Sequence, residues 1–273
     1  MTKYSALISI YKNDDPSHLM ESLLSLSKQT IAPSQIVIVQ DGPVPIKLKR
    51  QIDIFIASTN IEVSFLKLKK NIGLSKALNA GLKLCKYDMV LRQDADDISL
   101  KNRAEMQIAA FMSKNNIGIV SGWYAQYDYS MSIVEADRKL PEKNHEIINY
   151  GKRRTPINHA CSMFSKSAVE DVGGYPQVDG FCEDWWLALR MIKKNYSIYN
   201  IQEVLVNVRG GDDFFSRRSG LAYIKQEVIN QYEMYKEGLL PAFYCFSNIL
   251  IRIPVRMLPN SIIKTVYKFI RKI

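Results

Sequence analysis

Four short apolar runs alternate with three longer amphipathic ones between residues 4 and 92, and no other feature of the chain constrains its fold as much. Residues 4–11, 35–40, 61–67 and 88–92 have the length and β-branched content of strands. Residues 16–28, 45–57 and 74–84 repeat their apolar positions with helical spacing. Asp15 stands where an N-cap belongs, with Pro16 at the first helical position. Strands that alternate with helices pair in parallel, because each crossover helix returns the chain to the edge it left. The expected fold class is therefore α/β, a doubly wound sheet flanked by helices. Such sheets bind ligands beyond the carboxyl ends of their strands. Residues 11–14, 41–43 and 94–97 all lie at such ends.

Past residue 97 the pattern changes. A helix is expected over 99–114, a strand over 117–129, a helix near 142–150 and a strand over 160–165. Gly173-Gly174-Tyr175-Pro176 reads as a loop, residues 183–194 as a helix, and the stretch from Gly211 to Gly238 as helical. The folded core should end near residue 238, in two parts that divide where the pattern changes, residues 1–100 and 101–238. A hydrophobic share of 47% with 23% charged residues excludes disorder. The start reads as a first strand rather than a signal peptide, and no run reaches the roughly 18 apolar residues that a spanning helix needs. Cys85, Cys161, Cys182 and Cys245 lie far apart without a C-x-x-C pair, as expected of reduced, buried thiols in a cytosolic protein.

Chemistry concentrates first at Asp94-Ala95-Asp96-Asp97. Three carboxylates within four residues repel one another unless a cation compensates. At a strand end, D-x-D places alternate side chains on one side, where oxygen ligands can meet a hard ion such as Mg²⁺ or Mn²⁺. Taken alone, the run reads equally well as a solvated turn that caps the helix expected from Ser99.

From Ser9 the chain reads SIYKNDD, then IVIVQDGP, NIGLSKALNAGL and YDMVLRQDADD. In order, spacing and residue type this resembles the family 2 glycosyltransferases, across residues 4–210, and most closely the bacterial amylovoran, capsule and O-antigen enzymes. The resemblance implies the GT-A fold, with a mostly parallel, mixed sheet. It implies that Tyr11, Asn13, Asp41, Asn71 and Gly73 contact the nucleotide-sugar donor, Tyr11 stacking on the base and Asp41 accepting from it. Arg92, Asp94 and Asp97 join them at the ribose, phosphates and sugar, and Asp94 and Asp96 hold the metal. Which of the three aspartates binds the ion directly stays open. The general base of the family is the Asp of an E-D pair after a Gly-Gly-aromatic stretch, here Glu183-Asp184, with Asp184 as the base. A sugar hydroxyl has a pKa far above 7, so its attack on the anomeric carbon needs such a carboxylate. The same pair would equally favour the dipole of a first helical turn. Arg209, or else Arg217 or Arg218, stands where relatives place a cation near the diphosphate. His159, in Pro156-Ile157-Asn158-His159, lies in a segment that resembles one near the active site. The chain departs from the family pattern at Gln40 and Pro43.

The net charge of +10 is concentrated at the end of the chain: Arg252, Arg256, Lys264, Lys268, Arg271 and Lys272 face no acidic residue after position 240. Residues 239–273 form the expected basic amphipathic tail, with apolar residues opposite the charges in its last turns. Such a helix suits an anionic membrane surface, or it packs its apolar face on the catalytic domain. A wide apolar stripe has no use on nucleic acid. The expectation is a cytoplasmic, peripheral, inverting and metal-dependent hexosyltransferase, with a UDP-sugar as donor and a polyprenyl-diphosphate-linked saccharide as acceptor. A nucleotidyltransferase and a non-catalytic sugar-nucleotide-binding module are the alternatives. The first would normally carry a Gly-rich basic loop where Tyr11-Lys12-Asn13-Asp14 stands.

Overall fold

The computed structural model describes residues 2–177, 182–210 and 220–257. The first half follows the expected alternation: β1 (Ser5–Ile10), α1 (Pro16–Ser27), β2 (Gln35–Gln40), α2 (Ile46–Ser58), β3 (Glu62–Lys67), α3 (Leu74–Leu82) and β4 (Met89–Gln93). Then come β5 (Ile98–Ser99), α4 (Arg103–Ser113), β6 (Ile117–Tyr127), β7 (Val134–Arg138), α5 (Asn144–Gly151), β8 (Met163–Ser165) and α6 (Lys166–Asp171). The remaining elements are α7 (Glu183–Lys193), β9 (Ser197–Arg209), α8 (Leu221–Lys236) and α9 (Ala242–Met257). The Asp15 side chain caps α1 by accepting from the Ser17 and His18 amides.

One mixed sheet runs β3-β2-β1-β4-β8-β6-β9-β5, with β7 hanging on β6. The β3-β2-β1-β4 block is parallel, β8 is antiparallel to both its neighbours, and β9 is parallel to β6. Alternate residues of β1 and β2 face opposite layers. Ala6, Ile8, Ile36 and Ile38 pack beneath Leu19 and Leu23 of α1 and Ile52 of α2. Leu7, Val37 and Val39 pack against Ala77 and Leu78 of α3 and the buried faces of α6 and α7.

Three features depart from expectation. The helix expected from Ser99 begins at Arg103, because Ser99 and Ile98 instead pair with Val206 and Asn207 of β9. The strand expected over 160–165 is shorter, since residues His159–Cys161 form a 3₁₀ turn ahead of β8. Strands β7 and β9 had no counterpart in the sequence reading. All four cysteines are free, with Cys85, Cys161 and Cys245 buried and Cys182 half-buried. Among the described residues, no helix is long and apolar enough to cross a membrane.

Candidate active site

The registers of β1, β2 and β4 bring their carboxyl ends to one edge, Ile10 beside Gln40 and Ile8 beside Gln93. Residues 11–14, 41–43 and 94–97 leave the sheet there together. Tyr11 is half-buried and its amide donates to Asp14 Oδ2 at 2.8 Å, while Asn13 is exposed in the same turn. Asp41 is buried, and its two carboxylate oxygens accept from the amides of Ile72 and Gly73 at 2.7 and 3.0 Å. Asn71 Nδ2 donates to the Asp41 carbonyl at 3.2 Å. Asp41 thus fixes the loop ahead of α3. Gly42 makes the approach possible: its φ is +86°, and a Cβ there would stand 2.5 Å from the Asn71 nitrogen.

The acidic run turns across this edge. Buried Arg92 pairs with Asp94 Oδ2. Burial disfavours its charge, but Asp94, Tyr175 and Glu183 outweigh that and raise its pKa. Asp97 is buried, and its Oδ1 accepts from the Arg209 amide at 3.0 Å. Burial, with Asp94 and Asp96 nearby, holds its carboxyl well above the ordinary carboxylate range. Asp96 opens to solvent, yet desolvation on its protein side and the charge of Asp94 raise it too. Arg209 closes the cluster from β9: its guanidinium reaches the Asp96 carbonyl at 3.2 Å, the Tyr129 carbonyl at 2.8 Å and the Glu21 carboxylate. Because the helix starts only at Arg103, the run is no helix cap. Asp14 also faces it: burial, then the charges of Asp96 and Asp94, push its carboxyl up to about 7 against the Tyr11 bond. Behind the run, fully buried Arg103 donates to the carbonyls of Arg92 and Ser162 at 2.8 and 3.2 Å.

Among the described residues no three His, Cys, Asp or Glu side chains converge as a metal cage. Asp94 and Asp96 offer carboxylate oxygens, the donor type a hard cation takes when water and phosphate oxygens supply its remaining ligands. In that sense the residues fit Mg²⁺ or Mn²⁺.

The second carboxylate pair opens α7, where Cys182 holds φ +78° ahead of Glu183 and Asp184. His159 Nδ1 lies 3.4 Å from Glu183 Oε1, and its Nε2 lies 2.9 Å from the Tyr175 hydroxyl. Burial acts to raise Glu183, but the bond and charge of His159 outweigh it and lower its pKa. Asp184 is raised, by burial and by Glu183, with His159 and Arg138 opposing. One of two adjacent carboxylates is thus held acidic and the other kept basic. Arg92, which feels both Asp94 and Glu183, spans the two clusters.

The structure brings Arg92, Asp94, Asp96, Asp97 and Arg209 together beyond the end of β4, and Glu183 and Asp184 together with His159 at the start of α7. Tyr11, Asn13, Asp41, Asn71 and Gly73 lie along the adjoining strand ends. Arg217 and Arg218 lie outside the described residues. Sequence reasoning missed Asn79, whose side chain binds both the amide and the carbonyl of Tyr175. It missed Arg138 because nothing local marks a charge carried in by β7. Asp14 carried a signal, a third acidic site at a strand end, that was not weighed.

A mixed sheet of this order with both acidic sites at its edge defines a glycosyltransferase of GT-A architecture. The chain belongs to glycosyl transferase family 2: residues 5–173 match the model of the family so described. It is 37% identical over 267 residues to a UDP-Gal:alpha-D-GlcNAc-diphosphoundecaprenol beta-1,3-galactosyltransferase of Escherichia coli, covering 97% of this chain and 95% of that one. It is 35% identical over 271 residues to the amylovoran biosynthesis glycosyltransferase AmsE of Erwinia amylovora, covering 98% and 99%. Among solved structures, the mannosyltransferase PcManGT of Pyrobaculum calidifontis, in complex with GDP-Man and Mn²⁺, superposes with a TM-score of 0.65. That match covers 95% of this chain and 72% of that one at 15% identity, a likeness of fold.

Proposed function

We propose that this glycosyltransferase moves a hexose, with inversion, from a UDP-sugar to a lipid-diphosphate-linked saccharide during surface-polysaccharide synthesis. The observation that carries the reading is the presence of two acidic sites, the run at the end of β4 and the Glu183–Asp184 pair opening α7, with buried Arg92 paired to Asp94 and feeling the charge of Glu183. Asp184, its pKa raised, takes the proton of the acceptor hydroxyl as that oxygen attacks the anomeric carbon. The bond from that carbon to the diphosphate breaks, and UDP leaves with the electron pair. Glu183, held by His159, stays ionised and keeps the proton on Asp184. Asp94 and Asp96 would hold a divalent cation, which would supply charge compensation at the diphosphate. Arg209 fixes Asp97 and the Asp96 carbonyl, and so the shape of that site. The names of the Escherichia coli and Erwinia amylovora relatives support a UDP-sugar donor, a lipid-diphosphate acceptor and this pathway class. The basic, amphipathic pattern of residues 258–273 supports attachment to the cytoplasmic leaflet.

The test is transfer by purified protein with Mn²⁺ or Mg²⁺, using UDP-galactose, UDP-glucose and UDP-N-acetylglucosamine and a synthetic lipid-diphosphate GlcNAc acceptor. Metal-dependent turnover of one donor, lost in Asp96→Ala and Asp184→Asn, is expected. Donor binding indifferent to metal and to Asp96, without turnover, sinks the reading.

A further inference from the structure

Helices α8 and α9 are built inside out. Glu227, Asn230 and Gln231 of α8 and Asn248 of α9 are buried. Arg252 Nη1 pairs with Glu227 Oε1 at 2.7 Å, and Asn248 Nδ2 donates to Gln231 Oε1 at 3.2 Å, so the seam between the helices is polar. The opposite face of α9 carries Phe243, Phe246, Leu250 and Met257 at helical spacing, each 56% to 69% exposed. On α8, Leu221, Tyr232 and Tyr235 are exposed as well. Buried polar groups with a contiguous exposed apolar stripe are the pattern that marks a surface meant for something other than water.

Cations border the stripe on the Tyr244 side. Lys152-Arg153-Arg154 follow α5, and the carbonyls of Lys152 and Arg153 accept from Asn248 and Arg252 of α9. The charged ends of Lys152 and Arg153 each stand 5.5 Å from the Tyr244 ring, and Arg153 and Arg154 are exposed. We propose that this face is a docking surface for an anionic lipid bilayer, with the α9 stripe at the acyl boundary and Lys152-Arg153-Arg154 at the headgroup phosphates.

Charge selects this occupant. A second copy of the chain would bring the same cations against themselves, whereas an anionic leaflet complements them and takes up the apolar stripe beside them. The following sixteen residues add Lys264, Lys268, Arg271 and Lys272 and no acidic side chain. The position also has a purpose, which rests on the lipid-linked acceptor proposed above. The Arg252 guanidinium lies 4.8 Å from the ring of Trp185 on α7, the helix whose first turn holds Asp184, so α9 packs on the element that carries the proposed base.

The experiment is co-sedimentation of the full chain with vesicles of phosphatidylcholine alone or mixed with phosphatidylglycerol, a readout that needs no turnover. The variants are Phe246→Glu/Leu250→Glu, Arg153→Glu/Arg154→Glu, and Lys264→Glu/Lys268→Glu in the segment that follows. Circular dichroism and donor hydrolysis report whether each variant is folded. The expected result is binding to the mixed vesicles that each of the first two variants weakens about tenfold or more while remaining folded. Equal binding to both vesicle types overturns the proposal. So does retained binding in Phe246→Glu/Leu250→Glu with loss only in Lys264→Glu/Lys268→Glu, which would place attachment in the following segment. If the first two variants bind normally but sediment as monomers where the parent chain is a dimer, the stripe is a contact between copies and the proposal also falls. Vesicle binding without any sugar transfer would leave the docking surface standing and remove the acceptor reading instead.

Discussion

Asn79 and Tyr175, 96 residues apart, hold each other by two hydrogen bonds: the Tyr175 amide donates to Asn79 Oδ1 at 2.8 Å, and Asn79 Nδ2 donates to the Tyr175 carbonyl at 2.9 Å. Asn79 lies on α3, directly behind the loop that Asp41 fixes, and the Tyr175 hydroxyl meets His159 beside Glu183. Gly174 lets the segments meet, with φ +76° and only 2.7 Å between a would-be Cβ and Asn79 Oδ1. Through Asn79 and Tyr175, the helix behind the loop that Asp41 fixes is tied to the segment beside the carboxylate pair.

Asn79→Ala should leave the Tyr175 amide and carbonyl without these partners and cost about 1–3 kcal/mol of stability. Its turnover should fall more than its affinity for UDP. Calorimetric melting with UDP titration checks this, and an unchanged kcat would show that the coupling has no catalytic consequence.

Removing the metal-side carboxylates should separate binding from catalysis differently. Asp94→Asn and Asp96→Asn are expected to abolish the gain in UDP affinity that Mn²⁺ or Mg²⁺ confers, leaving metal-free affinity near that of the parent chain. Titration calorimetry of UDP with and without the ion reads this directly.

Asp184 must be ionised to accept a proton, and its pKa is raised, so the acid limb of kcat/KM should fall above the ordinary carboxylate range. His159 lowers both Glu183 and Asp184. His159→Asn should therefore move that limb to still higher pH, whereas Asp184→Asn should cut kcat about 10²–10⁴-fold at every pH. A pH–rate profile whose acid limb ignores His159 would assign the base elsewhere.

Asp14 gives a stability prediction. Its folded pKa of about 7 lies above that of an ordinary aspartate, so its contribution is complete below about pH 4 and is lost as pH rises through 7. Asp14→Asn, which retains an acceptor for the Tyr11 amide, should melt higher than the parent chain at pH 8 and show no such advantage at pH 4. Thermal scans at the two pH values, without metal, decide it.

The parallel block was legible because each strand and helix there carries its own local pattern. QIVIVQ has apolar residues at all four central positions, and β2 is buried at every position. Asp15 and Pro16 mark the start of α1 without help from elsewhere. Beyond residue 97, local pattern loses to partners distant in sequence. Ser99 joins β5 only because β9 arrives beside it, and SIYNIQEVLVNVR mixes polar and apolar residues because it serves a mixed environment along its length. The site follows the same division. The acidic pairs could be read from strand and helix ends, but their pairing through Arg92, the His159–Glu183 contact and the arrival of Arg138 are properties of the folded chain. The tail shows the limit of counting charge: Arg252 and Arg256 were grouped with the basic end, yet Arg252 reaches inward to Glu227 and Arg256 is buried over the Tyr223 ring.

Among the described strands β9 comes last in the chain and yet lies inside the sheet, between β6 and β5. Asp97 waits 112 residues for the Arg209 amide that fixes it. On the ribosome, a chain can thus emerge with its whole parallel block before the cleft has its far wall. Its capacity to cleave a sugar nucleotide should appear only when folding is finished, so an unfinished chain has no means of wasting activated sugar on water.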